Sequence, residues 1–304
     1  MQRSSVPACL TSAAMITGLF ALPLTALPAE AAPQIFSNQG AKFTATRSSE
    51  ADHVADKPID AATANGEVKI TKGGTDKVHI TAKVRATTQD RLDATKVTTT
   101  RAADGTLTIR VQWPGNTRNA NEGCDLEIQA PDATNVTAAT ENGSITAKGL
   151  SGAARLTTSN GSIIVDSWSG DVKAGTSNGT IEVSGASGKI DATSSNGRVK
   201  ASDVQGPLTV KTSNANVDAA LTPNAAGPVT IRTDNGSVKL KVGPAFSGKL
   251  HAQTSNGKIE VHPARAKPVG KPARDEGSWQ FGDSSTASDI ETDNGSITID
   301  NAAE

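Results

Sequence analysis

Aromatic residues are scarce in this sequence of 304 residues. Tyr is absent, and five Phe and three Trp make up 3% of the chain. A globular core of this size normally uses aromatic rings, each of which buries a large area. Their scarcity, together with 28 Gly, favours β-structure with many tight turns over a helical bundle.

An excess of charge of one sign is also missing. Lys and Arg number 30 and Asp and Glu number 31, so the formal net charge is −1. A balance this close to zero produces no global field that would attract nucleic acid or an anionic membrane. Nucleic-acid binding is further disfavoured because aromatic stacking platforms are absent.

Long hydrophobic runs are limited to one stretch, at residues 13–22. Its length, below the roughly 20 residues of a membrane span, and the following Pro23 and Pro28 disfavour a membrane anchor. Ala29-Glu30-Ala31 then matches the small-x-small pattern of a cleavage site. We therefore predict a signal peptide at residues 1–31 and an exported protein, periplasmic, cell-surface or extracellular, without a transmembrane segment after cleavage.

Cysteine is represented twice, and Cys9 falls inside the predicted signal peptide. Cys124 alone then remains, so the exported chain cannot form an intramolecular disulfide. We expect Cys124 to be buried, because a free cysteine packs as a small hydrophobic residue; an intermolecular bridge is the alternative. Hydrogen-bonded strands and an apolar core must therefore supply the stability.

The dipeptide Asn-Gly recurs at regular intervals, and this is the strongest pattern in the chain. Four successive intervals, from Asn142 to Asn214, are 18 residues long; the next two are 21 and the last is 38. Position 214 carries Asn-Ala instead. Tight turns need a positive φ, which Gly adopts freely and Asn tolerates. We predict a structural ladder of turns formed by Asn142, Asn160, Asn178, Asn196, Asn235, Asn256 and Asn294.

Apolar residues keep fixed positions within each repeat and lie two apart within each strand-like stretch, the period of a strand with one buried face. Hairpins with type I′ turns would give an antiparallel meander. The rival is a β-solenoid with one 18-residue unit per coil. We favour the solenoid, because residues at the same position of successive repeats have the same chemical character, as they must if they stack on one another. One such row comprises Ile145, Ile163, Ile181, Val199 and Val217.

The predicted fold is all-β, a parallel, β-helix-like solenoid with coils of about 18 residues and an irregular β-structured N-terminal cap. The cap is expected because an open sheet end invites aggregation. Four segments follow the signal peptide. They are the N-terminal β-region at 32–135, the solenoid repeats at 136–262, a Pro-rich basic excursion at 263–288, and the last repeat with the C-terminus at 289–304.

The phrase CDLEIQAPDATNVTAATENGSITA at residues 124–147, followed by repeated TSNGxIxV units, resembles the DUF4097 family. The resemblance covers about residues 42–300. It implies a β-strand repeat protein with a solenoid-like fold, found in the bacterial envelope or secreted and commonly assigned as an adhesin. It implies no catalytic residue, cofactor or ligand.

The residues that usually carry chemistry form no recognisable site. No two of the four His lie at metal-ligand spacing, and the calcium-binding Gly-Gly-x-Gly-x-Asp nonapeptide is missing. Acidic and basic residues alternate along the rows that face outward, as in Glu182, Lys200 and Asp218. Such mixing of charges is typical of a solvated face. We therefore predict no catalytic, metal or cofactor-binding residue, no cofactor, and a protein that is not an enzyme.

One basic run stands out, and it consists of Arg265, Lys267, Lys271 and Arg274. Such a run can contact an anionic polymer. A solvated loop is the simpler interpretation, because most charge runs are solvated.

These patterns predict a non-catalytic protein with a structural or adhesin-like binding role at the bacterial envelope or outside the cell. The expected partner is an envelope polysaccharide or another surface polymer. Two alternatives stay open. One is a self-assembling envelope scaffold, and the other is a polysaccharide-active β-helix enzyme, which only the analogy of fold supports.

Overall fold

The structure is a computed structural model that describes residues 40–73, 76–263 and 265–302. The predicted signal peptide at residues 1–31 lies outside the described residues. Nearly all the regular structure is β, because the sequence alternates apolar and polar residues in short stretches separated by Gly, Asn and Ser.

The first half of the described chain contains twelve strands and one short α-helix. They are β1 (Phe43–Asp52), β2 (Ile59–Ala62), β3 (Val68–Lys72), β4 (Lys77–Ala86), α1 (Gln89–Ala94), β5 (Lys96–Arg101), β6 (Leu107–Gln112), β7 (Gly123–Ala130), β8 (Asn135–Ala139), β9 (Ile145–Lys148), β10 (Ala153–Thr157), β11 (Ile163–Trp168) and β12 (Val172–Thr176).

The second half of the described chain contains thirteen strands. They are β13 (Ile181–Ala186), β14 (Ile190–Ser194), β15 (Val199–Val204), β16 (Leu208–Thr212), β17 (Val217–Leu221), β18 (Val229–Thr233), β19 (Val238–Val242), β20 (Gly248–Thr254), β21 (Ile259–Val261), β22 (Lys267–Pro268), β23 (Glu276–Phe281), β24 (Ala287–Thr292) and β25 (Ile297–Asn301).

Two sheets face each other across the core, and each coil contributes one strand to each of them. Sheet 1 has twelve strands in the order β1-β4-β7-β3-β9-β11-β13-β15-β17-β19-β25-β21. Sheet 2 has thirteen, in the order β22-β23-β20-β24-β18-β16-β14-β12-β10-β8-β2-β6-β5. The described residues thus form ten stacked coils, with antiparallel strands added at both ends.

The strands of the middle coils are parallel and in register. Ile163 pairs with Ile181, and Ile181 pairs with Val199 on the next coil. All five residues of the predicted first row are fully buried. The antiparallel meander is therefore wrong and the predicted parallel solenoid is confirmed. Aliphatic residues dominate because each row packs on itself in the narrow space between the sheets.

The coils at the C-terminal end do not stack in the order of the sequence. The coil of β24 and β25 is inserted between the coil of β18 and β19 and the coil of β20 and β21. The segment predicted as the last repeat is therefore not the last coil in space. The inserted coil matches both of its neighbours in register, because Ile297 pairs with Val238 on one side and with Ile259 on the other.

The N-terminal end is interleaved in the same way. The coil of β2 and β3 lies between the coil of β6 and β7 and the coil of β8 and β9. Parallel stacking therefore begins inside the region predicted as an irregular cap, and the boundary predicted at residue 136 divides a continuous stack. Strands β1, β4 and β5 are antiparallel and do lie at this end.

Apolar side chains close the core at both ends. At the N-terminal end α1 buries Leu92, and the Arg47 guanidinium donates to the backbone oxygens of Leu92 and Thr95. At the other end the rings of Phe246 and Phe281 pack edge to face, with centroids 5.2 Å apart. Phe246 and Phe281 thus close this end of the core, whereas Trp168 is buried in a middle coil.

Candidate binding surfaces

The Asn-Gly turns form one continuous row along an exposed corner of the solenoid. Except for Asn142, which only accepts, each Asn of the row donates its Nδ2 to the Oδ1 of the Asn on a neighbouring coil at 2.7–3.0 Å. All seven predicted asparagines belong to the row, together with Asn214. In space the row continues from Asn235 to Asn294 and ends at Asn256, following the inserted coil.

A row of buried hydroxyls lies directly under this corner. Each Oγ donates to the backbone carbonyl of the residue after Asn on the neighbouring coil, at 2.8–3.4 Å. The corner is thus held by two hydrogen-bonded ladders. The hydroxyl row consists of Thr140, Thr158, Thr176, Ser194, Thr212, Thr233, Thr254 and Thr292.

The glycines of the corner are needed for a reason other than the predicted one. None of the Asn or Gly residues of this row has a positive φ, so the expected left-handed turn is wrong. The coils instead approach too closely for a side chain. A Cβ on Gly161 would lie 1.8 Å from the carbonyl oxygen of Gly143, and one on Gly179 would lie 1.8 Å from that of Gly161.

Charged side chains on the outer face of sheet 1 mostly pair between neighbouring strands. Lys69 with Glu127, Lys148 with Asp166 and Lys200 with Glu182 each have N–O distances of 2.7 Å. The Lys148 hydrogen bond lowers the pKa of the Asp166 carboxyl below its usual value. Exposed pairs of this kind each contribute at most about 1 kcal/mol. Their main effect is therefore on the local charge pattern, and their effect on the stability of the fold is small.

A depression of about 600 Å³ lies on the outer face of sheet 1 where β15, β17, β19 and β25 are neighbours. Its lining includes the small residues Ser202 and Ala220, the cations Lys239 and Lys241 on β19, and the acids Asp218 and Asp300. Neither lysine has an ion-pair partner among the residues that the structure describes. Their pattern, Val-Lys-Leu-Lys-Val, could have shown two lysines on one outer face, but our sequence analysis did not single it out.

A second depression, of about 440 Å³, lies on the outer face of sheet 2. Its cations are Arg155, Lys173 and Lys189, and its acids are Asp171 and Asp191. Lys173 Nζ lies 4.0 Å from Asp191 Oδ2, and Asp171 Oδ1 accepts the Lys189 backbone N–H at 2.9 Å. Acids thus offset much of the positive charge on this face.

The predicted basic run divides into two environments. Arg265 folds back on the protein, where Nη1 donates to the carbonyl oxygens of Pro244 and Phe246 at 2.9 and 2.8 Å and Nη2 donates to that of Gly243. Its guanidinium lies 5.4 Å from the centroid of the Phe281 ring, and burial lowers its pKa. Arg265 therefore serves to close this end of the core and is poorly placed to contact a polymer.

The other three residues of the run are exposed. Lys267 lies in β22, which pairs with β23, and Lys271 and Arg274 follow in the connection between these strands. Asp275 and Glu276 come directly after Arg274, so the charge of this segment is mixed at its end. Contact of these three residues with an anionic polymer stays a prediction.

The histidines are dispersed over the molecule. His53 contacts Asp132, His79 contacts Glu50, and His262 Nδ1 lies 2.5 Å from Asp300 Oδ1. Within the described ranges, no group of three or more His, Cys, Asp or Glu side chains could hold a metal ion. Cys124 is fully buried, and burial, reinforced by the neighbouring Asp125 charge, raises the pKa of its thiol to about 12.

A family model described as Toastrack DUF4097 matches residues 56–300. The chain belongs to this family. The resemblance deduced from the sequence is therefore confirmed, and the two-sheet solenoid is the form that the fold takes in this DUF4097 member. No curated protein matches the chain. In the described part of the chain, no helix is both long and apolar enough to cross a bilayer.

Several solved structures are similar to this chain at low identity and low TM-score. A "putative adhesin" from Bacteroides fragilis NCTC 9343 is 14% identical with a TM-score of 0.35, covering 86% of this chain and 99% of that one. A "putative cell adhesion protein" from Clostridium sporogenes ATCC 15579 is 9% identical with a TM-score of 0.31, covering 86% and 100%. A "putative adhesin" from Parabacteroides merdae ATCC 43184 is 14% identical with a TM-score of 0.31, covering 67% and 94%.

One buried ion pair of this DUF4097 chain escaped the sequence analysis. Glu122, fully buried, accepts hydrogen bonds from Arg91 Nε and Nη2 at 2.7 Å and from the Asn119 and Thr87 backbone N–H groups at 2.9 and 3.2 Å. Burial alone would raise the pKa of Glu122, but these bonds lower it to about 2. Arg91 lies 31 residues before Glu122 in the sequence, so no local pattern could have indicated the pair.

Proposed function

We propose that this DUF4097 protein is exported and has a structural or adhesin-like binding role, in which the outer faces of the solenoid contact an extended polymer. The observation that carries the proposal is the repetition of the outer surface. Ten coils present polar positions on both sheets, one coil after another, and eight of them contribute an Asn to the corner row.

A linear polymer suits such a surface because its own groups also repeat. Neighbouring strands lie about 4.8 Å apart, so successive coils can each supply one weak contact. Many weak contacts on one rigid partner raise the overall affinity well above that of any single one. Hydrogen bonds between the coils hold the outer positions in fixed register, which limits the entropy lost on binding.

A non-catalytic role fits the way in which the outer acids are held. Glycoside hydrolysis needs two carboxylates about 5–10 Å apart, one of them available as an acid. On sheet 1 Glu182 is bonded to Lys200 and Asp218 to Arg198, and on sheet 2 Asp289 is bonded to Arg232. Each of these three carboxylates is thus already engaged by a cation of its own face.

The test is co-sedimentation of the purified protein with insoluble envelope polymers and polysaccharides, followed by measurement of the polymer chain length. We expect the protein to sediment with at least one polymer and to leave its length unchanged. A shortened polymer would mean that the protein is an enzyme. Failure to sediment with any polymer would contradict the binding role and favour the scaffold alternative.

A further inference from the structure

Two lysines on the outer face of sheet 1 depart from the pairing pattern around them. Lys239 and Lys241 are both exposed and lie two residues apart on β19, which places them on one face about 7 Å from each other. Lys69, Lys148 and Lys200 on the same face each contact a carboxylate of a neighbouring strand. Within the described ranges, Lys239 and Lys241 contact none.

The acids nearest to these lysines in the sheet are already engaged. Asp218 pairs with Lys239 in the register of β17, but its Oδ2 accepts from Arg198 Nε at 2.7 Å. Asp300 pairs with Lys241 in the register of β25, but its Oδ1 lies 2.5 Å from His262 Nδ1. Both carboxylates line the same depression, but among the described residues neither forms an ion pair with Lys239 or Lys241. The two ammonium groups can therefore contact an external anion.

The interleaved coil order decides which acids adjoin these lysines, since the inserted strand β25 also brings Asp300 beside Lys241. The inserted strand β25 places Thr298 beside Lys239, and Glu260 pairs with Thr298 on the far side. Glu260 is bonded there to Lys258 at 2.6 Å. If the coils were stacked in the order of the sequence, β21 would adjoin β19 and Glu260 would lie next to Lys239. The insertion thus separates Lys239 from the acid that would otherwise neutralise it.

The protein surface beside the two lysines is concave and carries hydrogen-bond donors. Ser202 and Ala220 are the small residues of the 600 Å³ depression, and Ala220 pairs directly with Lys241. The hydroxyls of Ser202 and Thr298 can donate to an oxygen anion. A carboxylate or phosphate can therefore approach the face between ammonium groups and hydroxyls, where a larger side chain would block it.

We propose that Lys239 and Lys241, with the depression beside them, form a binding site for successive anionic groups of a linear polymer that carries a carboxylate or phosphate on each unit. The inference rests on the proposed function, because it names the chemistry of the polymer and the part of the surface that binds it. This site is distinct from the basic run at residues 265–274.

The test compares the unmodified protein with two double variants that lose the same charge. K239Q/K241Q removes the lysines of the site, and K211Q/K249Q removes two exposed lysines on sheet 2. Binding of polygalacturonate, long-chain polyphosphate and neutral dextran is titrated at low salt. We expect K239Q/K241Q to weaken binding of one or both polyanions roughly tenfold. We expect K211Q/K249Q to change it less than about twofold.

Each result either supports or overturns the proposed lysine site. Loss confined to K239Q/K241Q supports the site, and the polyanion affected identifies the carboxylate or the phosphate as its ligand. Equal loss in both double variants would overturn the site in favour of general charge attraction. Binding of dextran without binding of either polyanion would overturn the site and leave the proposed function standing. Because all four lysines are exposed, unchanged thermal unfolding is expected of both variants.

Discussion

Gly179 and Gly175 lie on the same coil, but their surroundings are opposite. A Cβ on Gly179 would meet the backbone of the neighbouring coil, whereas a Cβ on Gly175 would have no heavy atom within 4 Å. Neither residue has a positive φ. The two glycines therefore separate the effect of close approach from the effect of backbone freedom.

We expect Gly179→Ala to lower the free energy of unfolding by more than about 2 kcal/mol, because the coils must move apart to admit the methyl group. Gly175→Ala should raise it by about 0.4–1 kcal/mol, because the unfolded chain loses freedom. Urea unfolding of both variants measures the difference. Equal effects at the two positions would contradict close approach as the reason for Gly in the Asn-Gly corner.

Position 215 shows what the corner does when Gly is missing. In this coil Ala follows Asn214, and the hydroxyl ladder persists, because Thr233 Oγ1 donates to the Ala215 oxygen at 3.0 Å. The Val199 N–H to Asn216 oxygen bond is 3.3 Å, against 2.9 Å for Ile163 to Thr180. A methyl group at one corner thus coincides with one longer backbone bond between the coils.

Cys124 is buried with a thiol pKa of about 12, so little of the reactive thiolate forms at neutral pH. We expect the folded protein to leave Cys124 unmodified by iodoacetamide at pH 8 and the urea-unfolded protein to react fully. Mass spectrometry of the peptide that contains Cys124 measures this. Thr180→Cys, at an exposed position, is the control that should react in the folded state. Rapid native labelling of Cys124 would contradict its burial.

At the scale of the element, Glu122 and Arg91 fix the loop before β7 to the helix α1. Glu122 accepts hydrogen bonds from Thr87, Arg91 and Asn119, so it ties the start of α1 to the loop that precedes β7. Removing one partner of a buried pair leaves the other charge uncompensated and is strongly destabilising. The pair therefore stabilises the N-terminal closure of the core.

The ordinary pKa of Glu122 is 4.5, and in the folded protein it is about 2. This difference contributes about 3 kcal/mol of stability above pH 5, and the contribution is lost as the pH falls from about 4.5 to about 2. We expect Glu122→Gln to be much less stable than the parent at pH 7 and the gap between them to shrink by about 2 kcal/mol at pH 3.

Urea unfolding at the two pH values measures this gap. Glu127→Gln is the control, because the exposed pair of Glu127 with Lys69 should contribute less than about 1 kcal/mol at either pH. A gap for Glu122→Gln that stays constant between pH 7 and pH 3 would show that the carboxylate charge is not what stabilises the loop.

At the scale of the whole molecule, the inserted coil links both sheets at the C-terminal end. Residues 287–301 supply β24 and β25, which separate the coil of β20 and β21 from the rest of the stack. Ile290, Ile297 and Ile299 of this coil are fully buried. Without it, the two neighbouring coils would expose apolar rows to water.

We expect a chain that ends at residue 286 to lose more than about 5 kcal/mol of stability in its C-terminal part, because three buried isoleucines and their contact surfaces are removed. Hydrogen exchange should show loss of protection in β18 to β21 and retained protection in β10 to β14. Deletion of residues 302–304 is the control and should change little. Full protection of β20 in the shortened chain would show that the inserted coil is dispensable.

The repeat, the buried rows and the family could all be deduced from the amino-acid sequence. Each is a consequence of short-range chemistry, because a strand with one buried face alternates its residues and a row such as Ile163, Ile181 and Val199 must keep its character to stack on itself. The basic run was also visible in the sequence. The sequence did not indicate that Arg265 turns inward and donates to carbonyl oxygens.

The tertiary structure alone decided the spatial order of the coils. Ile259 and Ile297 are both suited to the row that contains Val238, so the apolar pattern permits either strand to lie beside β19. The choice depends on where the chain runs after β21, since β23 pairs with the outer side of β20 and leaves β24 to enter on its inner side. That choice sets the neighbours of Lys239 and Lys241, and with them the charge of the outer face.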